Sequence, residues 1–159
     1  MSDHRMLNLL KELGLSGFPP LFRDFQFYGA LLLGVVVLWA MSVWLFHGAE
    51  GGPPVPFSMW ISIVLWQPLI EELLFRGILQ GQLLGRPWGR RAFLRISLAN
   101  LVTSVAFMAI HFIAHPPLWA ISVLLPSLLF GYFRERHHSL YPAIILHSVY
   151  NLGYLLVAT

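Results

Sequence analysis

The chain has 159 residues, 57% of them hydrophobic and only 11% charged, with a net charge of +3 and a mean hydropathy of +0.70. Soluble domains run nearer to about 45–50% apolar and 25% charged, and a water-soluble fold of this length cannot hide so much apolar surface, so lipid has to cover it. There is no cysteine, which excludes disulfides and thiolate chemistry. The positive charge does not point to nucleic acid, because the basic residues sit between apolar stretches, where they report membrane orientation.

Met1 to Asp24 is polar and mixed in charge, with no early apolar core ending in small residues, and reads as a cytoplasmic tail rather than a cleavable signal peptide. The first apolar stretch runs from about Phe25 to Phe46, without a charge, and spans roughly 33 Å as a helix. Gly48–Pro56 (GAEGGPPVP) is a loop signal, as is His115–Pro117. The second stretch begins near Phe57 and continues to about Leu84, interrupted by Glu71, Glu72 and Arg76. Further stretches cover about Ile96–Ala114, Leu118–Phe133 (short for a span) and Leu140–Ala158. The expectation is an all-α protein in which residues 25–159 form a single polytopic membrane bundle of about five transmembrane helices.

Glycines at 77, 81 and 85 and the Ala30–Gly34 pair read as close helix packing in lipid. Pro68, Pro126 and Pro142 are expected to kink the second, fourth and fifth stretches. Arg5, Lys11 and Arg23, then Arg86, Arg90, Arg91 and Arg95, then Arg134 and Arg136 fall on one side if all five stretches cross, and the opposite segments hold no Lys or Arg. The positive-inside rule puts that side and the N-terminus in the cytoplasm, with the C-terminus outside.

Three charged residues in one span demand a reason, since each costs about 2.5–3.5 kcal/mol at the centre of a membrane helix. Glu72 and Arg76 are one turn apart on one face and can neutralise each other. Glu71 is rotated by about 100° from Glu72, so the two carboxylates cannot aim at the same point. One is thereby available as an acid or base while the other is held by the arginine. The third stretch carries Phe107 and His111 one turn apart, and the fifth carries His147 and Asn151 with the same spacing. Together these helices supply a carboxylate base, imidazoles to hold a water, and N–H donors for an oxyanion, an inventory that fits acyl-group hydrolysis. His4, His47, His115, His137 and His138 read as solvated or interfacial, and the six tryptophans as interface anchors or lipid-facing residues.

In these residues the chain resembles the CAAX-protease and bacteriocin-processing (Abi) family of intramembrane endopeptidases. The family's EExxxR motif matches Glu71, Glu72 and Arg76, its FxxxH motif matches Phe107 and His111, and its HxxxN motif matches His147 and Asn151, in that order and each inside an apolar stretch. The match covers about Trp60 to Thr159 and suits a compact bacterial-type member in the inner membrane. The resemblance implies peptide-bond hydrolysis in a membrane-associated or membrane-anchored protein: a C-terminal sorting tail, a bacteriocin or a signalling peptide. It implies that Glu71 activates water with His111 alongside, that His147 and Asn151 stabilise the oxyanion, and that Glu72, Arg76 and Phe107 support the site. Zinc held by Glu71, His111 and His147 is an alternative, but the HExxH helix of zinc hydrolases is absent, and the metal-free mechanism is favoured. The expected partners are lipid and the substrate, not nucleic acid. Two other functions compete: an ion- or proton-coupled transporter component, against which stand the small size and lack of inverted repeats, and a non-catalytic membrane scaffold. Glu71 and His111 enter their helices at different depths, which a kinked or re-entrant segment near Arg86–Arg95 would reconcile.

Overall fold

The structure, a computed structural model, describes residues 2–45 and 55–158, with side chains from 6 to 40 and from 55 to 157. Phe46, His47, most of the Gly48–Pro56 loop and Thr159 lie outside the described residues, as do the side chains of His4, Arg5 and Trp44. The helices are α1 (Ser2–Leu13), α2 (Phe25–Leu45), α3 (Phe57–Leu84), α4 (Leu98–His111), α5 (Pro117–Ser122), α6 (Leu124–His137) and α7 (Tyr141–Ala158). Between α3 and α4 lies a two-stranded antiparallel hairpin, β1 (Ala92–Phe93) and β2 (Ile96–Ser97). Each of the five apolar stretches therefore carries a helix. The α3 helix and the segment Pro117–His137 are long and apolar enough to cross a membrane, while the apolar parts of α2, α4 and α7 are shorter.

The backbone divides into two compact units, one of residues 1–19 and 71–143, the other of residues 20–70 and 144–159. In the first, α4 packs along α6, and α1 lies against residues 73–79 of α3. The N-terminal segment, read from sequence as a polar tail, thus carries a docked helix. Two contacts fix its end: the Arg134 guanidinium donates to the Glu12 carbonyl at 2.9 Å, and the Leu140 amide donates to the Gly14 carbonyl at 2.9 Å. The glycine row explains the approach. A Cβ at Gly77 would meet Leu140 at 3.3 Å and Leu13 at 3.5 Å, and one at Gly81 would meet the Glu12 carbonyl at 3.5 Å, so these glycines form the seat for α1.

In the second unit the Ala30–Gly34 pair seats one side chain of α7. The Tyr150 hydroxyl donates to the Ala30 carbonyl at 2.7 Å, and a Cβ at Gly34 would sit inside the Tyr150 ring. A half-buried phenol keeps its hydrogen bond this way instead of losing up to about 1–3 kcal/mol as an orphan.

The prolines fall at different places in their apolar segments. The segment Pro117–His137 is interrupted at Val123, next to Ser122, whose carbonyl an amide at position 126 would otherwise reach, whereas Pro142 falls in the first turn of α7, where the missing N–H has no intrahelical partner to lose. Pro68 lies mid-helix, and α3 accommodates it by widening to π-type turns at Ser62–Trp66. A second π segment, Leu73–Leu79, surrounds Arg76. Such widened turns relieve a clash with a proline ring or a crowded side chain without ending the helix. The α3 helix runs unbroken to Leu84, and turns and the hairpin lead from there to α4.

Candidate active site

The first unit gathers two of the three sequence motifs. Glu72 and Arg76 are both fully buried, and Arg76 Nη1 donates to Glu72 Oε1 at 3.0 Å. The other terminal nitrogen, Nη2, donates to Ser127 Oγ at 2.7 Å and to the Ser127 carbonyl at 3.1 Å. The guanidinium carbon lies 4.6 Å from the centre of the Phe107 ring and 5.6 Å from that of Phe130. Burying an ion pair is expensive unless hydrogen bonds satisfy its remaining donors. Here Ser127 takes Nη2 and two aromatic rings flank the cation, while Nε has no acceptor among the described residues; a desolvated cation over a ring gains about 2 kcal/mol.

Glu71 is half-buried where Glu72 is fully enclosed, as the rotation between adjacent helical residues requires. The carboxylate held by Arg76 is therefore Glu72.

Phe107 links this ion pair to the histidine of its own motif. Its ring meets Phe75 edge-on at 5.1 Å and lies 4.5 Å from the His111 ring. Its carbonyl is 2.7 Å from His111 Nδ1. A carbonyl oxygen only accepts, so the proton belongs on Nδ1 and the neutral ring presents Nε2 as a lone pair. That nitrogen can hold a water or take a proton.

Sequence reasoning missed several participants. His115 is exposed, as expected, yet its ring stacks on Trp119 at 4.1 Å, and both rings flank His111, at 5.8 and 5.9 Å. The histidine thus stands in an aromatic wall. Ser127 was overlooked because a lone serine in an apolar stretch carries no charge signal. Gln80 was overlooked too, although Glu72, Arg76 and Gln80 recur every four residues and are all fully buried. The Gln80 amide donates to the Gly131 carbonyl at 3.1 Å and to Glu135 Oε1 at 2.6 Å, and Ser97 Oγ donates to the same carboxylate oxygen at 2.5 Å. The polar stripe of α3 therefore pairs with Ser127, Gly131 and Glu135, one turn apart along α6.

The second unit holds His147, buried at 7% exposure, and Asn151, half-buried. Asn151 Nδ2 donates to the Ile63 carbonyl at 2.9 Å, and the reason lies in Pro68. In the π turns the Gln67 amide reaches back five residues to the Ser62 carbonyl. The next amide in that register belongs to position 68, and its acceptor would be Ile63, but proline has no N–H. Asn151 supplies the missing donor. Its amide carries a second N–H, which this bond leaves available.

Among the described residues no group of three His, Cys, Asp or Glu side chains is arranged to hold a metal ion. The mechanism proposed below uses the chain's own side chains.

A model of the family described as Type II CAAX prenyl endopeptidase Rce1-like matches residues 53–153. No curated protein and no solved structure matches the chain.

Proposed function

Because the chain belongs to the Type II CAAX prenyl endopeptidase Rce1-like family, and is on that ground a CAAX-type intramembrane endopeptidase, we propose that Glu71 is its catalytic base. One observation carries this reading: of two adjacent carboxylates, Glu72 is sealed against Arg76 while Glu71 is only half-buried. Glu71 takes a proton from a water whose position His111 Nε2 helps to fix, and the water oxygen bonds to the scissile carbonyl carbon. His147 and the second N–H of Asn151 donate to the resulting oxyanion. Collapse breaks the C–N bond, and Glu71 returns its proton to the leaving amine. Glu72, Arg76, Ser127 and Phe107 hold Glu71's helix turn and His111 in place, and the His115–Trp119 stack limits the orientations of the His111 ring.

The proposed substrate is a membrane-anchored protein cleaved next to an apolar segment: a C-terminal sorting tail, a bacteriocin or a signalling peptide. The proposed location is a bacterial inner membrane, and the one-sided distribution of arginine supports an N-terminus in the cytoplasm. The test is cleavage of a model transmembrane peptide by the purified protein in liposomes, followed by mass spectrometry. Wild type should cut and Glu71→Ala should not. A peptide cut equally by both removes Glu71 from the chemistry. An intact peptide accompanied by ion flux through the liposomes favours a transporter instead.

A further inference from the structure

Residues 85–97 join α3 to α4, two apolar helices, so the connector emerges where a bilayer's hydrocarbon ends and its tip is kept near lipid headgroups by connectivity alone. Its base is rigid. The Arg86, Gly89 and Arg91 amides close successive turns onto the Leu83, Arg86 and Trp88 carbonyls at 3.0, 3.0 and 3.1 Å. Arg90 Nε caps the Leu84 carbonyl at 2.7 Å. From α4 the Leu98 amide returns to the Arg91 carbonyl at 2.8 Å and the Ala99 amide to the Gly89 carbonyl at 3.0 Å.

From this base the hairpin projects, with Ala92 opposite Ser97 and Phe93 opposite Ile96. Its turn is made by Leu94 and Arg95, with φ of 49° and 67°. Two-residue turns with both φ positive ordinarily use Asn-Gly or Asp-Gly, because side chains with a Cβ resist this region. A leucine and an arginine here are poor turn formers. Phe93 and Leu94 are moreover 79% and 80% exposed, and Trp88 on the same connector is 41% exposed. Around them stand Arg86, Arg90, Arg91 and Arg95, and the chain has no Asp or Glu between Glu72 and Glu135. Beside the turn a groove is lined by Arg95, Tyr132, Glu135 and Arg136; its one carboxylate already accepts from Ser97 and Gln80.

We propose that the Ala92–Ser97 hairpin is a lipid-binding wedge: Phe93 and Leu94 enter the boundary between headgroups and acyl chains of an anionic leaflet, and Arg91 and Arg95 engage the lipid phosphates. Apolar tips ringed by cations gain both from burying apolar surface and from the negative surface potential. The rigid base presents the tip without an ordering cost at the moment of insertion. This inference rests on the membrane placement and is independent of the peptidase chemistry.

Since the chain has no cysteine, A92C places a single bimane label beside the tip while leaving Phe93, Leu94 and the arginines intact. In nanodiscs of phosphatidylglycerol the label should be quenched by nitroxide-bearing lipids and protected from aqueous iodide, in contrast to a label at S16C. R91Q and R95Q should each lower the inserted fraction, by roughly fivefold per arginine. Phosphatidylcholine nanodiscs should lower it as well. L94N/R95G on the same labelled background keeps the turn favourable and removes one of the two apolar tip residues and one cation; its melting temperature should hold while nitroxide quenching falls. A label as open to iodide as that at S16C in anionic nanodiscs overturns the proposal. So does shielding that follows protein concentration instead of lipid, which would indicate a second copy.

Discussion

The guanidinium carbon of Arg76 sits 4.6 Å above the ring of Phe107, and the same ring lies 4.5 Å from the imidazole of His111. The aromatic of the second motif is thus the physical contact between a buried cation and the histidine one turn further on. Phe107→Leu keeps most of the volume and removes the π face, which should lower stability by about 2 kcal/mol. Phe107→Ala adds a cavity, for a total of about 3–5 kcal/mol. Melting in detergent measures both. Turnover should fall in Phe107→Leu as well, because the His111 ring loses its flat support; unchanged melting and turnover in this variant would show that the ring does not hold the cation.

Glu71→Gln should abolish cleavage and leave the melting temperature near that of wild type, since it removes the base and preserves shape. Arg76→Ala should lose both activity and about 3–5 kcal/mol of stability, because Glu72 is left as a buried charge without its cation. The two variants therefore separate on a plot of activity against melting temperature. If they coincide, the division of labour between the carboxylates is wrong.

Pro68 and Asn151 form a testable pair. Asn151→Ala leaves the Ile63 carbonyl without its donor, at a cost of about 1–3 kcal/mol, and should lower turnover on the order of 10²–10³-fold if the second N–H serves the oxyanion. Pro68→Ala restores a backbone N–H to the helix. The double variant should therefore regain much of the lost stability while its turnover stays low. Equal stability of the single and double variants would mean that proline does not orphan Ile63.

Stripping the purified enzyme with strong chelators should leave its turnover unchanged, and anomalous scattering should detect no metal bound at Glu71, His111 or His147. His147→Ala should then reduce turnover with little change in KM, as loss of an oxyanion donor does. Activity that vanishes on stripping and returns with zinc would instead make the metal the activator of water.

Reporter fusions at Thr159 should score as external, and labels in Arg86–Arg95 and Arg134–His138 as cytoplasmic, given the segregation of arginine and lysine. A cytoplasmic score at Thr159 would require an even number of crossings.

Much of the local structure was legible because it is governed by short-range periodicity. Uninterrupted apolar runs set the helices, a four-residue spacing placed Arg76 over Glu72, and a rotation of one residue separated Glu71 from both. The small pairs Ala30–Gly34 and Gly77–Gly81 announced close approaches without saying to what. Their occupants, Tyr150 and the N-terminal helix, come from distant parts of the chain, and nothing in the local pattern names them.

Composition and spacing by themselves determined that this chain is a membrane-embedded helical protein with three ordered polar motifs, because burial in lipid tolerates ionisable residues only where they are paired or functional. Only the tertiary structure decided which hydrogen-bond partners satisfy them. Ser127 and Phe130 complete the Arg76 cage from α6, Asn151 fills the vacancy left by Pro68, and α3 yields into π turns around both Pro68 and Arg76. The physical reason is one of range. A helix satisfies its backbone from its own neighbours, so its sequence announces it. A buried side chain or an orphaned carbonyl can take its partner from any element that packs near it, and that choice is made only when the chain folds.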